Sequence, residues 1–204
     1  LNPERIGLFG GSFDPVHHGH LLLAQDALEQ LNLDRLVFIP AAINPHKLEA
    51  APHASTEHRL EMLREAIRVQ PRFSIDPQEL EREGPSFTID TAANYWRRFA
   101  GARLFLLLGE DNLPKLHSWH EFEKLRELVT FVSFGRGVTV DGGAAQVPLD
   151  RSGLPLPIER LSRKIDISST EIRTRVAKGL PIQYLVPESV RLLIHSHALY
   201  KHPV

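Results

Sequence analysis

Short apolar runs alternate with amphipathic segments along this chain, and that alternation narrows the folds open to it more than any other feature. An apolar run over residues 6–9 is followed by a helical pattern from about residue 21 to 31, and a second run over 36–39 closes at Pro40. The rhythm is that of a βαβ unit. Ser55 or Thr56 signals the N-cap of a further helix, with Leu60, Leu63 and Ile67 recurring on one face until Pro71. Residues 103–108 are nearly continuous in apolar side chains, and 128–134 repeat the pattern. Such runs suit parallel strands covered on both faces, so both belong to one sheet. Residues 135–157, rich in Gly and Pro, read as an irregular excursion. The last third is helical: residues 169–178 stop at Gly179, and 187–199 carry Val190, Leu193, Ile194 and His197 at helical spacing. Right-handed crossovers then give an α/β, doubly wound parallel sheet with a small C-terminal helical part. Its ligands belong at the carboxyl ends of the strands, after Phe9, Ile39 and Leu108.

The 204 residues, 42% hydrophobic, suit a single domain over 1–204. A net charge of −1, from 24 basic and 25 acidic residues, creates no field that would draw nucleic acid or an anionic membrane. Affinity for phosphate must therefore be local. The chain has no cysteine, which excludes disulfides and thiolate chemistry. No stretch approaches the roughly 20 apolar residues of a membrane span, and residues 1–9 do not read as a signal peptide. The expectation is a soluble, cytoplasmic protein without nucleic-acid or membrane partners.

Directly after the first apolar run stands Gly10-Gly11-Ser12-Phe13-Asp14-Pro15-Val16-His17-His18-Gly19-His20, leading into a helix. Glycines let a ligand approach the backbone closely. A helix N-terminus presents unpaired N–H groups and a partial positive charge to an anion. His17 and His20, three residues apart, can aim ring N–H donors at the same phosphate, with Gly19 leaving room for it. Two close histidines are too few for a zinc site, so no protein metal ligand is assigned. The pattern matches neither the Walker loop nor the Gly-x-Gly-x-x-Gly fingerprint. Near the other end, residues 166–173 (DISSTEIR) read as a strand end, an N-cap and a first helical turn, in which Ser168 or Ser169 caps and Arg173 reaches back. A plain capping motif accounts for the serines equally well.

The first stretch resembles the HxGH signature of the nucleotidyltransferase superfamily, in the form seen in bacterial nicotinate-nucleotide adenylyltransferases. Residues 167–173 resemble the Ile-Ser-Ser-Thr-x-Ile-Arg segment that accompanies it. The resemblance implies a Rossmann-like sheet of nucleotidyltransferase type that joins ATP to nicotinate mononucleotide, with Mg²⁺ carried by ATP. It implies catalytic roles for His17, His20, Arg173 and Lys47, and an ATP site formed by Gly10, Gly11, Ser12, Phe13, Gly19, Gly109, Asp111, Ile167, Ser168, Ser169 and Thr170.

The middle of the chain narrows the acceptor. Residues 82–91 (REGPSFTIDT) look like the family's pyridine-nucleotide segment, and 116–119 resemble its Leu-x-x-Trp. The resemblance therefore implies that Lys47, Ser86, Phe87, Thr88, Trp119 and Arg136 meet nicotinate mononucleotide, with Trp119 stacking on its ring. The family's second proline before the His of Pro45-His46 is replaced by Asn44, and Arg136-Gly137 lacks the usual intervening proline. Read from the letters alone, residues 84–91 are also a turn followed by a Thr-capped helix, Trp119 also a core residue and Lys47 also a solvated surface lysine. No nucleophile stands beside a base, which suits direct attack by the acceptor phosphate on ATP. Another acceptor, such as phosphopantetheine, and a non-catalytic nucleotide sensor are the competing readings. The choice between the acid and amide acceptors, the oligomeric state, loop closure and the role of residues 135–157 stay open at this level.

Overall fold

A computed structural model describes residues 2–42, 53–82, 86–135 and 157–201. Its centre is a six-stranded, wholly parallel sheet in the order β3-β2-β1-β4-β5-β6, formed by β1 (Arg5–Gly11), β2 (Arg35–Pro40), β3 (Phe73–Ile75), β4 (Arg103–Gly109), β5 (Val129–Gly135) and β6 (Ile158–Lys164). The strand order reverses between β1 and β4, which opens a crevice at their carboxyl ends. The helices are α1 (His18–Gln30), α2 (Thr56–Ile67), α3 (Thr88–Arg98), α4 (Phe122–Leu128), α5 (Ser169–Ala177) and α6 (Glu188–Ser196), with a 3₁₀ segment over Glu110–Ser118.

Side-chain alternation divides the core between the two faces of the sheet. In β4, Leu104, Leu106 and Leu108 join one apolar cluster while Phe105 and Leu107 join the other. In β2, Val37 and Ile39 take the first side and Leu36 and Phe38 the second. That two-residue period explains why these strands read as unbroken apolar runs: each face has its own cover of helices. Ile89, Tyr95, Leu116 and Leu125 complete the first cluster, and Leu28, Leu63, Ile172 and Val190 the second.

The helix signals lie where the sequence put them, with small shifts. Ser55 caps α2 by accepting the His58 N–H at 3.3 Å. Leu63 and Ile67 of the expected stripe are buried, whereas Leu60 is only half-buried. Helix α3 begins at Thr88, but its N-cap is Phe87 and so no Thr-capped start is observed. Helix α5 ends as expected before Gly179, whose φ of +66° favours glycine. The short edge strand β3 carried no periodicity long enough to be read. Strand β6 ends at Lys164, before Asp166, and only Leu161 in it is buried, so it too lacked an apolar signal. Of the segment over residues 135–157, all but its two ends lies outside the described residues.

Candidate active site

The loop leaving β1 packs as a stack of rings. Phe13, at φ +47°, turns its ring edge-on to Phe9 at 5.7 Å and to His20 at 5.0 Å, and His20 stacks on His17 with ring centres 3.7 Å apart. His17 is the N-cap of α1 and is 5% exposed. Its backbone N–H donates to His20 Nδ1 at 3.3 Å. With Nδ1 accepting, a neutral His20 carries its proton on Nε2. The two histidines are thus brought together as the spacing required. At Gly19 a Cβ would lie 2.9 Å from His17 Nδ1 and 3.3 Å from Ile165, so the missing side chain makes room for protein atoms of the loop itself. At Gly10 a Cβ would meet nothing within 4 Å, which leaves that backbone open to a ligand.

Helix α5 docks directly on this loop. Ser168 is the cap, accepting the Glu171 N–H at 3.1 Å, whereas Ser169 Oγ donates to the Pro15 carbonyl at 2.9 Å. Arg173 donates from Nη1 to the Asp14 carbonyl at 2.8 Å and from Nη2 to Thr170 Oγ1 at 3.3 Å. Ile167 packs against the core beneath, and Thr170 is exposed. Two motifs some 150 residues apart in sequence therefore form one surface.

Beneath the loop lies a polar hub that the sequence did not reveal. The buried Asp14 carboxylate accepts the N–H groups of His53 and Ala54, at 2.7 and 3.1 Å, and the Tyr200 hydroxyl at 2.6 Å. Arg59, 2% exposed, donates to the carbonyls of Ser12 and Ala41 at 2.8 and 2.9 Å, joining the ends of β1 and β2. Burial lowers the pKa of the Arg59 guanidinium, while Asp14 and Tyr200 oppose that shift. Burial and Asp14 push the Tyr200 hydroxyl far above the tyrosine range, so it remains a donor. A signal for Arg59 did exist, since it falls on the apolar stripe of α2 four residues before Leu63.

Alongside this surface, a cavity of about 1010 Å³, open mouth included, lies over the carboxyl ends of β1 and β4. Gly10, Gly11 and Gly109 line it from the strand ends, and Ser86, Phe87, Thr88 and Trp119 from the far side. The expected acceptor residues among those described thus converge on one space, whereas His17, His20, Ser169 and Arg173 lie outside its lining. Trp119 lines the cavity and also packs partly on the core. Phe87 holds its ring 4.3 Å from that of His120, which also lines the cavity. Asp111 is exposed on the 3₁₀ segment rather than in the lining. A Cβ on Gly109 would collide with its Oδ1, so that glycine is required by its neighbour.

Glu79 also lines the cavity and escaped the sequence reading. It is 8% exposed and accepts the Thr91 hydroxyl at 2.8 Å. Burial raises the pKa of its carboxyl, and Asp76 and Asp90 add to the shift; the Thr91 hydrogen bond and Arg82 oppose it. Lys47 and Arg136 lie outside the described residues. Among the described residues, no group of three or more His, Asp or Glu side chains is placed to hold a metal ion, and no helix is long and apolar enough to cross a membrane.

Comparison with known proteins gives this geometry a context. Residues 8–175 match a family model described as cytidylyltransferase-like. A relative from Gemmatimonas aurantiaca, named probable nicotinate-nucleotide adenylyltransferase, is 43% identical across 97% of this chain and 92% of its own length. A Thermus thermophilus relative bearing the same name is 42% identical across 97% of this chain and all of its own. Among solved structures, the Plasmodium falciparum nicotinic acid mononucleotide adenylyltransferase complexed with NaAD superposes with a TM-score of 0.75, covering 98% of both chains at 21% identity. At that identity, the likeness speaks for the fold.

Proposed function

The chain belongs to the cytidylyltransferase-like nucleotidyltransferases, in the nicotinate-nucleotide adenylyltransferase family, and from that membership we propose that it makes nicotinate adenine dinucleotide and pyrophosphate from ATP and nicotinate mononucleotide. The reaction is a step of NAD biosynthesis. The observation that best supports this reading is the docking of α5 on the β1 loop, where Ser169 and Arg173 bond the carbonyls of Pro15 and Asp14 beside the stacked His17 and His20. A phosphate chain laid across that surface meets donors from both motifs.

A 5′-phosphate oxygen of the acceptor attacks the α-phosphorus of ATP, and the bond from that phosphorus to the oxygen bridging to the β-phosphorus breaks. No covalent enzyme intermediate is needed. Catalysis rests on alignment and on donors aimed at charge on the transferring and departing phosphates. His20 serves through Nε2–H, with His17 behind it, and Lys47 assists. Arg173 keeps most of its five N–H groups after its bonds to Asp14 and Thr170, and these reach the phosphates. Gly10, Gly11, Ser12, Phe13 and Gly19 form the near wall of the ATP site, Ile167, Ser168, Ser169 and Thr170 its far wall, and Gly109 with Asp111 its ribose end. Nicotinate mononucleotide occupies the cavity between Ser86–Thr88 and Trp119, its carboxylate meeting Thr88 and the neighbouring backbone, and Lys47 and Arg136 are the further residues assigned to it. Mg²⁺ arrives on the ATP phosphates, because phosphate and water satisfy it without a protein cage. We place the enzyme in the cytoplasm as one domain, with nucleotides rather than nucleic acid as its ligands; the balanced charge and lack of cysteine support this.

The test is pyrophosphate release from MgATP with nicotinate mononucleotide, nicotinamide mononucleotide or phosphopantetheine supplied separately. A strong preference for the first is expected. Turnover of phosphopantetheine alone would overturn the acceptor, and silence with all three would overturn the reaction.

A further inference from the structure

The carboxylate of Glu79 poses a physical question: a buried acid lines a cavity read above as the seat of an anionic acceptor. Its hydrogen bonds give an answer. Thr91, on the second turn of α3, donates its hydroxyl to Glu79 Oε1 at 2.8 Å, and Ser86, just before the helix, donates its own to the Glu79 carbonyl at 3.1 Å. Both hydroxyls are buried. Arg82 reinforces the arrangement, reaching Thr91 Oγ1 at 3.3 Å and Gln78 Oε1 at 2.7 Å, and Asn94 of α3 donates to the same Gln78 oxygen at 2.9 Å. One residue is thus tied to the chain on both sides of Phe87 and Thr88, which line the cavity at the start of α3 together with the flanking Ser86 and Thr91. The first turn of a helix has N–H groups without intrahelical acceptors, and their usefulness to an anion depends on where that turn is held.

We propose that Glu79 is a positioning residue of the acceptor site, holding the first turn of α3 in register with Trp119 through Ser86 and Thr91. The inference rests on the acceptor assignment made above. Its carboxylate acts as a hydrogen-bond acceptor for Thr91 and not as a charge for the substrate, so an amide oxygen can replace it. The partner residue is Thr91, and loss of either side of the bond has the same consequence.

The experiment measures steady-state kinetics of the wild type, Glu79→Ala, Glu79→Gln, Thr91→Val and the Glu79→Ala/Thr91→Val double variant, varying nicotinate mononucleotide and ATP in turn. Glu79→Ala and Thr91→Val are each expected to raise the acceptor KM about 10-fold, the loss of one buried hydrogen bond. The double variant should be no worse than either single one. The ATP KM should stay within about 2-fold, and Glu79→Gln should restore the acceptor KM to within about 3-fold of wild type. An unchanged acceptor KM in a folded Glu79→Ala variant, equal losses for both substrates, additive effects in the double variant, or failure of Glu79→Gln to rescue would each overturn the proposal. Should Glu79→Ala not fold, Thr91→Val with Glu79→Gln decides by the same acceptor-against-ATP comparison. Wild-type silence with nicotinate mononucleotide would instead overturn the acceptor assignment, so the two failures are separable.

Discussion

His20 Nδ1 is occupied by the His17 backbone N–H, so whatever His20 gives to a phosphate must come from Nε2. On the proposed mechanism, His20→Ala should lower turnover about 10²-fold, the loss of about 3 kcal/mol from one charge-directed donor. Pyrophosphate release at saturating substrates measures it, and full turnover would remove His20 from the catalytic set. At Glu79 the consequence concerns stability. A carboxyl whose pKa is raised on folding holds its proton more tightly in the folded chain than in the unfolded one. Its contribution is fully present below the unfolded value near 4.3 and is lost as pH rises through the higher folded value. The wild type should therefore lose stability relative to Glu79→Gln across that window, in denaturant titrations run as a pH series; parallel curves would show no such shift. Tyr200→Phe removes one of the three donors to Asp14 among the described residues while leaving His53 and Ala54 in place. The unfolding free energy in urea should fall by about 1–2 kcal/mol.

Two adjacent serines at the start of α5 divide their work, and this division is a property of the element. Ser168 closes the helix end, whereas Ser169 fastens the helix to the β1 loop. Ser168→Ala should cost about 1 kcal/mol of stability, as other N-cap losses do. Ser169→Ala keeps the cap and loosens the docking, so it should reduce kcat about 10-fold with a smaller change in melting temperature. Thermal melts paired with turnover separate the two, and equal effects from both variants would deny the division. Helix α3 works in a similar way, since its start is set by residues that precede it in the chain, and Glu79 lies nine residues before Thr88.

Across the whole molecule, the two apolar clusters share every long strand of the sheet, so the two faces are expected to unfold together. Leu106 and Leu107, adjacent in β4, belong to opposite clusters. Leu106→Ala and Leu107→Ala should each cost about 2–5 kcal/mol and lower one common transition. Coincident unfolding by tryptophan fluorescence and far-ultraviolet dichroism would support the proposed single domain, and two separate transitions would refute it. The crevice is likewise a whole-molecule feature, arising because β1 turns to β2 on one side and β4 on the other.

What the chain could announce by itself was local: the apolar runs of β1, β2, β4 and β5, the cap of α2, the stop at Gly179, and the two motifs whose residue types suit phosphate. Each is written in a few consecutive letters, because periodicity, capping and backbone freedom act over one or two turns. Strands β3 and β6 were not legible, one being three residues long and the other mostly exposed at the sheet edge. Only folding could decide that Arg59 would bridge Ser12 and Ala41, that Tyr200 would reach Asp14 across 186 positions, and that Glu79 would be buried beside Thr91. These are polar residues whose meaning depends on a partner distant in sequence, and a buried charge takes its role from what surrounds it. The same holds for Gly19: its letter offered room beside the histidines, and the tertiary structure decided that the ring of His17 stands where a side chain would.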